Sequence, residues 1–493
     1  RRAVGAIAEY RVAGHYGRIF WNGEPMLLDL KGQEQADWVK ITWPNGVTQF
    51  EVDIPKENIL ILVQKEGLAG SCPFLYTWNG ETYEFISDVI GATPLGLPIS
   101  EGFFVPPDHD EFVLVSGEQL VERNGTLDIQ ITEELREVTY LDRARLDVLD
   151  HPDYSEVYPN ERFKFPPFPE AHNHSVVSPL SPASVVGSDG RDWTQALGQI
   201  DLDFAVPFEP YQSTVNSSRP WGGQFLGLTP PHSLVIEFED PEILKAEKLR
   251  LLMTGWFYWS VASVNMASSR TPEIEFVPPL LEVPNGKGGW KSVERTIGFP
   301  AGKLKTMVLD VSEFLVREDP RIRLSSTLRL YWDSVRLATD SDDTPIRVTS
   351  LEPLTADLWQ RGFSKPVELE KSAELLLEWF QWDELEKFPR WNQHPGVYTK
   401  LGDVRPLLRD AEDMFVVMGS GDALDIRFDA SLLPPLPVGW KRDYLVYLDG
   451  WAKDRDHSCV NVEFTEPFPF HGMSGFPYGE DEAFPDDEAH QQW

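Results

Sequence analysis

Sulfur is scarce in this chain: of 493 residues, 2 are cysteine and 7 are methionine. Cys72 and Cys459 stand far apart, and neither belongs to a CxxC or CxxCH pair. Zinc ribbons, thioredoxin-type redox chemistry and c-type haem attachment therefore have no signature here. The two cysteines form either one disulfide between distant segments, as an oxidising compartment allows, or two buried thiols. Positive charge is also short, with 44 Lys and Arg against 79 Asp and Glu, a net charge of −35. That field repels nucleic acid and anionic membrane, so neither is an expected partner. No run of roughly 18 apolar residues occurs, so no helical membrane span is expected. No signal peptide is visible, and the chain opens at Arg1-Arg2 without a Met, inside the strand-like run Ala3 to Ile7. It reads as the C-terminal part of a longer, processed polypeptide.

Aromatics are plentiful: 17 Trp, 28 Phe and 14 Tyr. Rings suit half-buried pleated surfaces, whereas 40 Pro and 36 Gly work against long helices. The expected fold class is all-β: several serial β-sandwich or jelly-roll-like domains with long Pro-rich loops and few short helices. The length calls for more than one core.

Four segments follow from the patterning. Residues 1–66 form a small β module: Ala8 to Val12 and Trp38 to Trp43 alternate, Pro44-Asn45-Gly46 is a hairpin turn, and Ile59 to Val63 is an apolar strand. Residues 67–170 form a second small β domain. It has a hairpin at Asn79-Gly80, strands over Glu111 to Val115, Thr126 to Thr132 and Arg143 to Leu149, and Pro-rich connections at 94–107 and 152–169. Residues 171–345 read as a sandwich of the jelly-roll, carbohydrate-binding-module kind. Residues 346–493 form a C-terminal β-rich domain with an extended acidic tail, beginning in an amphipathic helix or an extended run around Glu368 to Phe380. A faint echo links Leu251 to Trp256 with Val446 to Trp451, as two related sandwiches would produce.

Several constellations offer chemistry. Trp256, Tyr258, Trp259 and Trp332 supply rings on which a sugar face could stack, against a reading in which they fill a core. Asp340, Asp342 and Asp343 offer oxygens to Ca²⁺, against a solvated linker; the EF-hand loop pattern is missing. The tail acids Glu480-Asp481-Glu482 and Asp486-Asp487-Glu488 pose the same choice. His172 and His174 share a strand face, a spacing open to Zn or Cu, but no third ligand is identifiable. His109 and His151 read as turn residues. No G-x-S-x-G, H-E-x-x-H or P-loop occurs, so nothing argues for catalysis.

The first 66 residues resemble the ASPIC/UnbV module, through Ala6-Ile7, the Gly14 to Gly23 hairpin region and above all Val39 to Gly46, a strand ending in Trp-Pro-Asn-Gly. Gly70 to Tyr76, His394 to Tyr398 and Phe470 to Gly475 resemble extensions that follow this module in some bacterial exported proteins. The resemblance implies an upstream FG-GAP propeller in the same precursor, with calcium-binding loops. It also implies a place outside the cell or at its surface, the periplasm or outer-membrane exterior included, and adhesion or assembly with no established catalytic residues. The expected function is that of a non-catalytic structural or adhesion protein. Its partners are other copies of itself or other surface proteins, with glycan binding through residues 171–345 as the alternative and a glycan-active enzyme a more distant one.

Overall fold

The computed structural model describes residues 3–44, 48–56, 61–62, 72–91, 94–209, 227–258, 260–294, 297–300, 302–339, 343–367, 379–386, 391, 393–456 and 458–493. The architecture is all-β, as the composition predicts; two short helices, Ala262–Ser269 and Glu488–Gln492, stand among the described residues. The N-terminal segment is a four-stranded antiparallel sheet with spatial order His15–Phe20, Ile7–Val12, Gln35–Thr42, Thr48–Pro55. Ala8, Val39, Ile41 and Trp43 face inward and are covered by Trp21, Met26 and Leu28. Gly17 is needed beneath this layer, because any Cβ there would overlap the Tyr10 ring. Thr42 pairs with Thr48, so the expected hairpin is present, although its Asn45-Gly46 lies outside the described residues. Of the expected strand Ile59 to Val63, only Ile61 and Leu62 are described, and they are not extended in a sheet.

The second and fourth segments share one sandwich. Thr126–Thr132, from the second, lies between Phe74–Trp78 and Asp422–Asp429, and the latter comes from the fourth. Glu137–Pro152 pairs along its whole length with Trp440–Asp454, which pairs in turn with Asp110–Val115. Leu127, Ile129 and Ile131 from one sheet meet Leu146, Val446 and Leu448 from the other in a fully buried core. The two segments are therefore not serial domains. The third segment is inserted between them, and its own sandwich packs the sheet centred on Leu228–Glu237 and Arg321–Leu328 against the sheet Lys305–Asp310, Arg250–Phe257, Leu330–Ala338. Expected helix residues 368–378 lie outside the described residues, and Trp379 and Phe380 begin the strand Trp379–Leu385, so the extended alternative holds there.

The faint sequence echo has a structural counterpart. Tyr140-Leu141-Asp142-Arg143-Ala144-Arg145-Leu146 and Tyr331-Trp332-Asp333-Ser334-Val335-Arg336-Leu337 repeat the pattern Y-x-D-x-x-R-L, one in each sandwich. Each run pairs with a central strand carrying Gly-Trp, and each bulges at its Asp. Leu141 opposes Gly450 and Arg143 opposes Asp449, leaving Asp142 unopposed. Likewise Trp332 opposes Gly255 and Ser334 opposes Thr254, leaving Asp333 unopposed. A Cβ at Gly450 would overlap the Tyr140 carbonyl oxygen, and one at Gly255 the Tyr331 carbonyl oxygen. Both glycines exist to let the bulged strand approach.

Candidate functional site

The bulge at Asp142 lies beside a cluster of histidines and carboxylates. Tyr447, Asp449 and Trp451 alternate along Trp440–Asp454 and project away from the core that Val446, Leu448 and Ala452 fill. His109 enters from the residue before Asp110–Val115, with its carbonyl accepting from Gly450 N at 2.9 Å. His471 comes from the C-terminal tail and Asp413 from the loop ahead of Val416–Met418.

Asp449 is the hub. Its Oδ2 lies 3.1 Å from His109 Nδ1 and accepts from the Tyr447 hydroxyl at 3.2 Å; its Oδ1 lies 2.9 Å from His471 Nε2. The other His471 nitrogen, Nδ1, is 2.7 Å from Asp413 Oδ1, which also accepts the His471 backbone N–H at 2.9 Å. Asp413 N donates to Asp142 Oδ2 at 2.8 Å. The imidazoles of His109 and His471 meet edge to face at 4.6 Å, with the Trp451 ring 4.9 Å from His471. Donor atoms of His109, Asp449 and His471 all lie within 4.8 Å of one another, as do those of Asp142, Asp413 and His471.

With a carboxylate at each ring nitrogen, His471 donates twice and is an imidazolium. Burial alone would lower its pKa, but the bonds to Asp413 and Asp449 raise it to about 10. Burial would raise Asp449, yet the two histidines hold it near 2. Asp142 has lost its solvation and is pushed up to about 7, and its Oδ1 is buried without a hydrogen-bond partner. The region is reachable from solvent: the side chains of His109 and His471 are 36% and 25% exposed.

A second polar cluster is sealed. Glu133 and Glu137 are fully buried, and Thr139 Oγ1 donates to Glu133 at 2.6 Å. Burial drives both carboxyls well above their usual range. Nearby, Lys453 is buried and donates to the carbonyls of Thr465 at 2.8 Å and Pro467 at 3.1 Å, tying down the tail; burial lowers its pKa to about 7.

The sequence candidates fare unevenly. Trp256 and Trp332 are buried, and Trp256 stacks on Tyr331, so neither presents a face to a sugar. Tyr258 is half-buried beneath Arg329, and Trp259 lies outside the described residues. Asp340 and Asp342 are also outside them; Asp343 is described, and is exposed. Cys72 and Cys459 are both buried and are not joined, so the disulfide alternative gives way to buried thiols. His172 and His174 do come together, with rings 4.5 Å apart. In the tail, Glu482 accepts from Ser474 and Gly479, and Asp487 caps the helix Glu488–Gln492, so these acids shape turns. His109 stands directly ahead of the strand Asp110–Val115 and not in a turn, and its ring joins the hub; His151 lies within the strand Glu137–Pro152 and bonds Ser155 and Asp443. The tripeptide Asp449-Gly450-Trp451 was the sequence signal nearest the hub. Compared with protein-family models, curated proteins and solved structures, the chain matches none.

Proposed function

We propose that this chain is a non-catalytic assembly protein of the cell exterior, whose N-terminal sheet supplies the contact face and whose interlocked sandwiches supply a rigid base. One observation carries the reading. The outer face of the four-stranded sheet carries Tyr16, Trp38 and Phe50 in a row, with ring centroids 6.3 Å apart for Tyr16–Trp38 and 6.2 Å for Trp38–Phe50; Val52 stands opposite Trp38, and Phe20 lies further along the edge strand, opposite Ile7. Tyr16 is 60% and Phe20 65% exposed. Arg18 covers Phe20, Lys40 approaches Phe50 and pairs with Glu9, and Arg11 pairs with Asp37. Exposed aromatic and arginine side chains on one sheet face are the composition of a protein contact. The cations among the rings suit an acidic partner surface, and the rest of this strongly acidic chain is one. The expected partner is a second copy. The placement outside the cell rests on the resemblance of residues 1–66.

Burial supports the non-catalytic part. The carboxyls of Glu133 and Glu137 and the lysine Lys453 are sealed inside the frame, Lys453 being bonded within it. Light scattering of the full chain over a concentration series tests the proposal. The expected result is a mass that rises above the monomer and falls back in a Tyr16→Ser/Phe20→Ser variant with unchanged melting temperature. A monomer up to the solubility limit would overturn it, as would self-association unaffected by those substitutions.

A further inference from the structure

We propose that His109, Asp449 and His471 form a site for one divalent transition cation of the Zn²⁺ class, with Asp413 and Asp142 as the supporting carboxylates. The donor set is two imidazole nitrogens and one carboxylate, from a strand entry, a central strand and the tail, with donor atoms already within 4.8 Å of one another. Mixed nitrogen and oxygen donors suit borderline divalent cations and not Ca²⁺, which takes oxygens. The calcium expected from sequence therefore does not fit this cluster.

The surrounding layer has the form that metal-bound histidine requires. His471 directs Nε2 toward the hub while Nδ1 is held by Asp413, an arrangement that fixes the ring and makes it a better ligand. Asp413 is fixed in turn through its own N–H on Asp142. Asp142, wholly buried, also lies 3.6 Å through Oδ2 from His471 Nδ1, so both supporting carboxylates stand behind the same ring. The duplicated motif provides the internal control. In the other sandwich the matching Asp333 accepts backbone N–H groups from residues 201–203, and Thr254 stands where Asp449 stands here. No histidine joins Asp333 among the described residues. The bulge is thus common to both sandwiches, and the histidine–carboxylate set is an addition to one of them.

A cation here replaces the protons that now link His109 and His471 to Asp449, so binding releases protons and ties the tail to two strands. The full chain, stripped with chelator and titrated with Zn²⁺ by calorimetry in two buffers of different ionisation enthalpy, tests this. The expected result is one equivalent bound with proton release, and a melting temperature that rises with Zn²⁺. Affinity should fall at least ten-fold in His471→Gln and in the more exposed His109→Gln, whose fold circular dichroism checks, and roughly ten- to hundred-fold in Asp413→Asn. The surface variant His172→Gln should bind as the parent does. Absence of stoichiometric Zn²⁺ binding overturns the proposal, as do unchanged affinity in folded His109→Gln or binding of Ca²⁺ in preference to Zn²⁺.

Discussion

His394 shows how a single side chain sets acid stability in this protein. It is buried, both ring nitrogens have no hydrogen-bond partner, and burial, with Arg455 and Lys453 nearby, lowers its pKa to about 3. In the unfolded chain it titrates near 6.5. Between those values the unfolded state takes up a proton that the folded state refuses, so stability is full above about 6.5 and is lost as pH falls toward 3. The slope is about 1.4 kcal/mol per pH unit. Denaturant midpoints for His394→Leu and the parent, compared at pH 7.5 and pH 4.5, should show the parent losing more on acidification. Equal losses would mean that His394 is not the group responsible. Glu137 works in the opposite direction. Burial raises its pKa, so the folded chain keeps a proton that the unfolded chain gives up above about 4.5, and stability declines as pH rises through that range. Glu137→Gln is neutral at every pH. It should stabilise the protein by about 1 to 3 kcal/mol at pH 8 and have less effect at pH 4; a loss of stability at pH 8 would contradict the raised carboxyl pKa. Neither residue was legible in the sequence. A histidine in a Pro-rich loop and one glutamate among 79 acids carry no local mark of burial; Glu137 is paired with Asp454, and His394 lies near Lys453 and Arg455, all distant in sequence.

At the scale of the element, strands were legible wherever a single face met a core. The sequence run Thr126 to Thr132 coincides with the observed strand, because Leu127, Ile129 and Ile131 all enter one layer. The hairpin at Asn79-Gly80 is present with Asn79 Oδ1 accepting from Glu81 and Thr82 N–H and Gly80 at φ 101°, the conformation that turn chemistry selects. What escaped was the bulge. Period-two patterning treats each strand as regular, and the extra residue at Asp142 or Asp333 appears only when the partner strand is known. Hence the hub of His109, Asp449 and His471 was invisible, while the rings read as a sugar face were Trp256, Tyr258, Trp259 and Trp332, of which Trp256 and Trp332 are buried. The bulge makes a direct prediction. Gly450→Ala and Gly255→Ala each drive a methyl into a carbonyl oxygen, and each should cost about 3 kcal/mol, read as a lowered denaturant midpoint. A Gly450→Ala protein as stable as the parent would show that the close approach is not required.

Across the whole molecule, the order of strands in space decides which parts can stand alone. Sequence proximity suggested serial domains because short turns join neighbouring strands, and composition shifts marked 152–169 and the region near 345 as linkers. Those boundaries are real chain crossings, but they lead into and out of an inserted sandwich and do not separate one finished domain from the next. The insertion is also bolted to its host. Lys305 pairs with Glu111 across the two sandwiches, Lys303 N donates to Asp88 at 2.6 Å, and Asn265 Nδ2 donates to the Pro98 carbonyl at 3.0 Å. It follows that residues 67–170 expressed alone lack Asp422–Asp429 beside Thr126–Thr132 and Trp440–Asp454 beside Glu137–Pro152, so the core around Leu127, Ile129, Leu146 and Val148 loses Leu424, Ile426, Val446 and Leu448. That fragment should give no cooperative thermal transition by circular dichroism and should aggregate through its open edges. Residues 171–345, which hold both sheets of their own sandwich, should melt cooperatively in isolation. A sharp two-state melt from the 67–170 fragment would place its core within that segment, and the strand pairing between the second and fourth segments could not then be what holds the host sandwich together.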